Sequence, residues 1–376
     1  MKLTKSLFLA FAGLGLFACS NEEVNQGAIE GVADVAVKID IPGLTASRAA
    51  VDYTSDKVVT PNYVKLTLTA GSGTQTKEGT YAEIVGDDNL CVFEGVENPQ
   101  SLSVEINTKT GSDKNWTDVP HGTIQDLNNI TVAGTRMTGS TTVFVAGTDK
   151  YTASVPMQHT MARIEVGGIK HNAHSGNTCI FKSGKLAGVM LNKVVVTEGE
   201  GAKTYSETEI DQMFGASGSF APWEKLNPAI DFFPNAAGPN PAGGDKCYAF
   251  NIYPAAGAAN LPLLTLYFTN MAAADNAPVY VGPNGFAFVD KYKVLKTAVA
   301  GKDEIKKALC GDSPVAVGSD YYQVINFPAG YVYQIKDLEV PDDAIHTTPL
   351  GTGLNLEATI SVTEWEVVVG AVDWNK

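Results

Sequence analysis

The sequence predicts an all-β protein built as two β-sandwich domains in tandem, with few and short helices. Three observations carry this. Short alternating or β-branched runs, each closed by Gly, Pro, Asn or Asp, recur along the whole chain, as in sandwiches. Helical periodicity is confined to "SETEIDQMF" (206–214) and "KDEIKKAL" (302–309). The 376 residues, 44% hydrophobic and only 18% charged, are enough for two ordinary globular cores.

The first residues, "MKLTKSLFLAFAGLGLFACSNEEV", place Lys2 and Lys5 ahead of an apolar run from Leu7 to Ala18. That run has signal-peptide length and is short for a membrane span. Ala18 precedes Cys19, and the polar "SNEE" follows. This resembles a bacterial lipobox, which implies that residues 1–18 are the leader and that the Cys19 thiol carries the lipid anchoring the exported chain to the outer membrane; the alternative is an ordinary secretory signal whose cysteine is incidental.

Next comes "DVAVKIDI", in which Val35, Val37, Ile39 and Ile41 share one face and Ala36, Lys38 and Asp40 the other. It reads as a half-buried strand, stopped by Pro42 and Gly43. Arg48 follows in the small, polar run "LTASRAAVD", and is one of only three arginines, with Arg136 and Arg163. An exposed loop of small residues is where proteases cut.

The body supplies the strand candidates "YVKLTLTAG" (63–71), "QSLSVEIN" (100–107), "TTVFVAG" (141–147), "ARIEVGGI" (162–169), "GVMLNKVVVTEG" (188–199), "YAFNIYP" (248–254), "LLTLYFTN" (263–270) and "YVYQIKDLEV" (331–340). A boundary falls within "ASVPMQHTMARIEV" (153–166), giving domains over 49–157 and 158–376 behind a propeptide of 19–48. The chain ends in "LNLEATISVTEWEVVVGAVDWNK". Leu356, Ala358, Ile360 and Val362 form one apolar line; Trp365, Val367 and Val369 continue on the opposite one, so a bulge is expected near Thr363 to Trp365. Burying four or five aliphatic side chains of such a strand is worth roughly 6–15 kcal/mol before ordering costs, enough for tight strand exchange.

Composition excludes several functions. A formal charge of −14, with no block of basic residues, excludes a nucleic-acid partner. Beyond Cys19, the cysteines Cys91, Cys179, Cys247 and Cys310 lie far apart with no C-x-x-C pair, so no zinc or redox motif is present. Export permits disulfides among these four, in three possible pairings, while Cys91 and Cys247 sit in apolar strand-like runs and read as buried free thiols. His171 and His174 make an H-x-x-H without a third ligand, and read as surface histidines. "GDDN" (86–89) and "PDDAIH" (341–346) read as turns. No G-x-S-x-G, H-E-x-x-H, P-loop or dinucleotide fingerprint occurs, so neither catalytic residues nor a metal or other cofactor is expected.

The lipobox "LFAC", the loop "TASRAAV" after one strand, "HTMARIEV" opening the second domain, and above all "ATISVTEWEVVVGAVDW" at the end resemble the fimbrillins, subunits of the type V pili of Gram-negative anaerobes. The resemblance spans essentially the full length. It implies two transthyretin-like sandwiches, lipidation at Cys19, and cleavage of the Arg48–Ala49 bond by an Arg-specific, gingipain-like protease. It also implies that Val35 to Ile41 is the removed strand, that Leu356 to Val369 contains the donor strand, and that subunits polymerise with one another into adhesive surface fimbriae. Tip subunits of that family tend to lack a free C-terminal donor, so a shaft subunit is implied. The alternative is a monomeric outer-membrane surface lipoprotein that binds glycans; against it, Trp116, Trp223, Trp365 and Trp374 are scattered, two of them in the terminal segment.

Overall fold

The computed structural model of the chain describes residues 31–41, 58–59, 61, 63–85, 90–107, 122–126, 136–172, 180–195, 201–215, 223–233, 246–275, 282–348, 355–364 and 366–367. Strands dominate these residues, and the α-helices among them are Tyr81–Ile84, Glu207–Gly215 and Asp303–Cys310. The first strands are β1 (Val32–Asp40), β2 (Val58–Val59), β3 (Tyr63–Ala70), β4 (Gly73–Thr80), β5 (Leu90–Glu97), β6 (Pro99–Ile106), β7 (Gly122–Asp126), β8 (Met137–Thr141), β9 (Val145–Ala146), β10 (Lys150–Pro156) and β11 (Gln158–His159). There follow β12 (Ala162–Val166), β13 (Ile169–Asn172), β14 (Phe181–Asn192), β15 (Trp223–Phe233), β16 (Lys246–Ile252), β17 (Ala255–Ala256), β18 (Leu263–Ala273) and β19 (Gly285–Leu295). The last are β20 (Ala316–Val317), β21 (Tyr321–Val324), β22 (Asn326–Phe327), β23 (Tyr331–Ile335), β24 (Leu338–Pro341), β25 (Leu356–Glu364) and β26 (Glu366–Val367).

Two sheets, ordered β5-β1-β10-β9 and β11-β8-β6-β3-β4, enclose the first core. The alternation in β3 explains its place: Val64, Leu66 and Leu68 are fully buried, while Lys65, Thr67 and Thr69 alternate toward the outside. A one-turn helix, Tyr81–Ile84, is closed by a reciprocal cap in which the Thr80 hydroxyl accepts from the Glu83 N–H and the Glu83 carboxylate from the Thr80 N–H. It sinks Tyr81 into this core.

The second core lies under a long sheet ordered β15-β14-β18-β19-β25-β23-β12-β16-β7, with β21 and β20 branching from β19. Its outermost strand β7 comes from between β6 and β8 and pairs antiparallel with β16, so a piece of the first half of the chain completes the second sheet. In return, Tyr253 and Val332 pack into the first core. β12 is buried on both faces: Ala162, Ile164 and Val166 belong to the second core, and Arg163 and Glu165 are covered on the other side.

Several expected strands divide where the backbone demands it. "ARIEVGGI" breaks into β12 and β13 at Gly168, whose φ is +61° and where an added Cβ would fall 1.5 Å from the Lys336 carbonyl oxygen; only glycine fits there. "YVYQIKDLEV" likewise becomes β23 and β24, and the strand expected over 188–199 instead runs Phe181–Asn192, ending at Lys193 with φ 58°. "TTVFVAG" is mostly irregular, keeping only β9 in full. Both expected helices form.

One histidine makes the fold acid-sensitive. His159, on β11 against Gly330, is held by burial at a pKa of about 4, below its ordinary value. Below about pH 6.5 the unfolded chain therefore takes up a proton that the folded chain refuses. The contribution is complete above that pH and is lost as the pH falls toward 4, on the order of 3 kcal/mol in total. His159→Gln is expected to flatten this part of the pH profile when urea midpoints at pH 7 and pH 4.5 are compared with wild type.

Candidate functional site

β1 is an interior strand. It runs parallel to β10, from Asp34 opposite Lys150 to Asp40 opposite Pro156, and antiparallel to β5, from Val32 opposite Glu97 to Lys38 opposite Leu90. Its apolar face is fully spent in the first core, with Val35, Val37, Ile39 and Ile41 each no more than 3% exposed. Ala33 joins them on the same side, while Val32, Asp34, Lys38 and Asp40 face outward. The four larger side chains contribute roughly 6–12 kcal/mol of apolar burial before ordering costs.

The β1–β5 register slips between Ala33 and Val35. There the Asp34 carboxylate accepts from the Gly95 N–H at 3.1 Å, and Gly95 takes the positive φ (64°) that the bulge requires. Taking β1 away would leave both β5 and β10 without a neighbour along one full edge. It would also uncover the inward side chains of Cys91 and Phe93 on β5 and of Tyr151, Ala153 and Val155 on β10. Cys91 stands directly opposite Val37. Its buried, unbridged thiol is pushed up in pKa by burial, with Lys77 pulling the other way. Cys310 is the other free thiol among the described residues, buried in the second core.

At the far end of the chain, β25 lies between β19, to which it is parallel, and β23, to which it is antiparallel. Leu356, Ala358 and Ile360 are buried in the second core, and Val362 packs against its margin. This half of the expected donor is thus built into the chain's own sheet, and it cannot be given away without opening that sheet. The ladder then breaks, and Glu366 and Val367 (β26) pair with a different partner, Val58 and Val59 of β2, in parallel. Thr363 and Glu364 stay in register opposite Val332 and Tyr331, so the expected bulge is absent at those two residues, and Trp365 lies outside the described residues. Cys19, Arg48, Ala49, Trp365 and Val369 lie outside the described residues, as do Cys179 and His174; only the backbones of Val367 and Cys247 are described.

The remaining arginines are engaged. The Arg163 side chain, 3% exposed within β12, pairs with Glu165 at 2.9 Å, and Gln334 donates to the same carboxylate at 2.6 Å. Arg136 is 3.8 Å from Glu105, its side chain 22% exposed.

No family model and no curated protein matches the chain. Solved structures do. The chain is similar to a fimbrilin from Porphyromonas gingivalis at 15% identity and a TM-score of 0.42, over 89% of this chain and 99% of that one. It is similar to a C-terminally truncated tip fimbrial protein from the same organism at 13% identity and a TM-score of 0.34, over 88% and 100%. A fimbrial assembly protein from Parabacteroides distasonis matches at 13% identity and a TM-score of 0.32, over 84% and 93%.

The H-x-x-H reading is corrected. His171 is buried, its Nε2 2.9 Å from Asp342 Oδ1, and the other carboxylate oxygen accepts from the Ile180 N–H at 3.0 Å. The ring meets Phe233 edge-on at 4.7 Å. This pair ties β13 to the turn after β24 and is part of the core. The turn expected of "PDDAIH" is the 3-10 segment Asp342–Ala344, and its sequence carries no signal for a partner 171 residues away.

Proposed function

We propose that the chain is a structural subunit of a surface fimbria. In this reading it is exported as an outer-membrane lipoprotein through Cys19 and cut between Arg48 and Ala49 by an Arg-specific protease. It then polymerises when the C-terminal segment of one subunit takes the place of β1 in the next. The observation that carries this is β1 itself: an interior strand, with a complete apolar face, supplied by the residues that precede the arginine-bearing sequence "LTASRAAVD". A core completed by a removable strand is an acceptor for a strand of the same kind from elsewhere. Contacts of that sort, between unlike surfaces of like subunits, do not close and therefore extend a filament.

Two further features support it. β25 is locked between two strands whereas β26 is held by a two-residue ladder to β2, so the donated segment begins after Glu364. Arg163 is buried within a strand and ion-paired, which leaves an Arg-specific protease little access there. The mature domains, in this reading, begin at Ala49 and at residue 158, and the subunit belongs to the fimbrial shaft, where it supports adhesion.

The N-terminal residue of the surface-displayed form tests the reading. Ala49 is expected, in material that runs as a ladder on a non-boiled gel. A surface form beginning at lipidated Cys19 and running only as a monomer contradicts it.

A further inference from the structure

If β1 departs, β5 loses its only strand neighbour among the described residues. A strand without a ladder does not keep its geometry, and its apolar residues, Cys91 and Phe93 among them, would be drawn into the opened groove. Yet β5 is anchored at several points that do not involve β1. Along its outer edge the carbonyls of Val92 and Glu94, two residues apart and so on the same side, are both taken by side chains of β4. The Lys77 ammonium donates to Val92 at 2.6 Å, and the Gln75 amide donates to Glu94 at 3.3 Å. Lys77 also sits 5.7 Å from the centre of the Phe93 ring, within reach of a cation–π contact. At one end, the Gly71 N–H donates to the Glu97 carbonyl at 2.8 Å, and the Glu97 N–H donates to the Ser72 hydroxyl at 3.4 Å. At the other end, the Leu90 N–H donates to the Val85 carbonyl at 3.2 Å.

We propose that Lys77 and Gln75 form a clasp that holds β5 in strand geometry while the β1 slot is empty and admits the incoming strand on the β1 side alone. This rests on the reading that β1 is released. Both parts follow from the same contacts. The clasp comes from β4, which belongs to the opposite sheet and stays when β1 leaves. It also fills the outer-edge acceptors of β5 with a lysine and an amide, which is how exposed sheet edges are closed to strand addition. An apolar strand arriving on that side would have to displace a charge-assisted hydrogen bond. Lys77 and Gln75 are therefore positioning residues. The strand that carries them, "GTQTKEGT", shows no apolar face in the sequence, because as an edge strand it stands exposed or half-exposed along its length.

The test uses the full chain, Lys77→Met, which keeps the aliphatic stem, and Gln75→Val as a milder second variant. Each is compared with wild type before and after cutting at Arg48. Capture of a fluorescent peptide of residues 31–41 is followed by anisotropy, and amide exchange of 91–96 by mass spectrometry. Uncut variants are expected to melt within about 4 °C of wild type, since β1 still pairs with β5. After cutting, Lys77→Met is expected to capture the peptide about tenfold more slowly, the factor that loss of one charge-assisted hydrogen bond represents, with faster exchange in β5; Gln75→Val is expected to show a smaller effect of the same sign. Wild-type capture and exchange in cut Lys77→Met overturns the clasp alone, as does a variant whose uncut form is weakened as much as its cut form. A cut wild type that takes up no peptide overturns the release of β1, and the clasp with it.

Discussion

Arg48→Ala is expected to leave the chain full-length below Cys19 and unable to polymerise, with filament yield falling to the background of a strain lacking the protease. The reason is competition for one slot. In the uncut chain β1 is tethered beside its own groove, at an effective concentration of about a millimolar or more. A C-terminal segment from another subunit must displace it from a far lower free concentration. The tethered strand already buries Val35, Val37, Ile39 and Ile41 completely, so a rival of similar apolar content gains nothing by exchange. Cutting removes the tether, and the short peptide then leaves by dilution. Arg48→Lys is expected to behave like the alanine variant with a protease that reads the planar guanidinium. Size fractionation of both variants beside wild type checks this, and wild-type-length filaments built from uncut chains contradict it.

Two C-terminal truncations are expected to differ sharply. Removing 366–376 should leave a folded subunit that is exported and cut, that accepts a strand, and that forms no filament by itself. Removing 356–376 should prevent accumulation of folded protein. β25 is an inner strand whose loss strips β19 and β23 of a shared neighbour and takes Leu356, Ala358 and Ile360 out of the second core. Loss of the two larger side chains alone amounts to roughly 3–6 kcal/mol, a large part of the 5–15 kcal/mol by which a typical domain is stable, before the broken ladders are counted. Protease resistance of the monomer and ladders on a non-boiled gel separate the two cases. Filaments from the shorter truncation, or a stable monomer from the longer one, contradict the division of the C-terminal strand at Glu364.

The contrast between β1 and β25 shows what periodicity conveys. Both strands were legible, because each has an apolar line at every second residue. Whether a strand sits inside a sheet, and beside which partner, was not, because that is decided by residues far away: β1 against Lys150 to Pro156, β25 against Val289 to Val294 and Tyr331 to Ile335. β19 passed unread for a different reason. Its "GFAFV" is buried residue by residue, so the inner part of the strand has no polar phase to mark it. β4 failed in the opposite sense, being polar on both sides. His171 was misread because burial beside Asp342 is a tertiary fact that a local H-x-x-H cannot disclose. At the candidate site, the apolar face of β1 could be read from the chain. The bulge at Asp34 and Gly95, the thiol of Cys91 opposite Val37, and the clasp of Lys77 could not.

That thiol allows the release of β1 to be measured directly. Alkylation of Cys91, quantified on its own peptide by mass spectrometry, reports whether the slot beside Val37 is filled, because a covered thiol is protected and an uncovered one reacts. Protection is expected in the uncut chain, rapid labelling in the cut subunit freed of residues 19–48, and protection again in the filament, with Cys310 protected throughout. Equal protection of Cys91 in the uncut chain and in the freed, cut subunit would contradict the account.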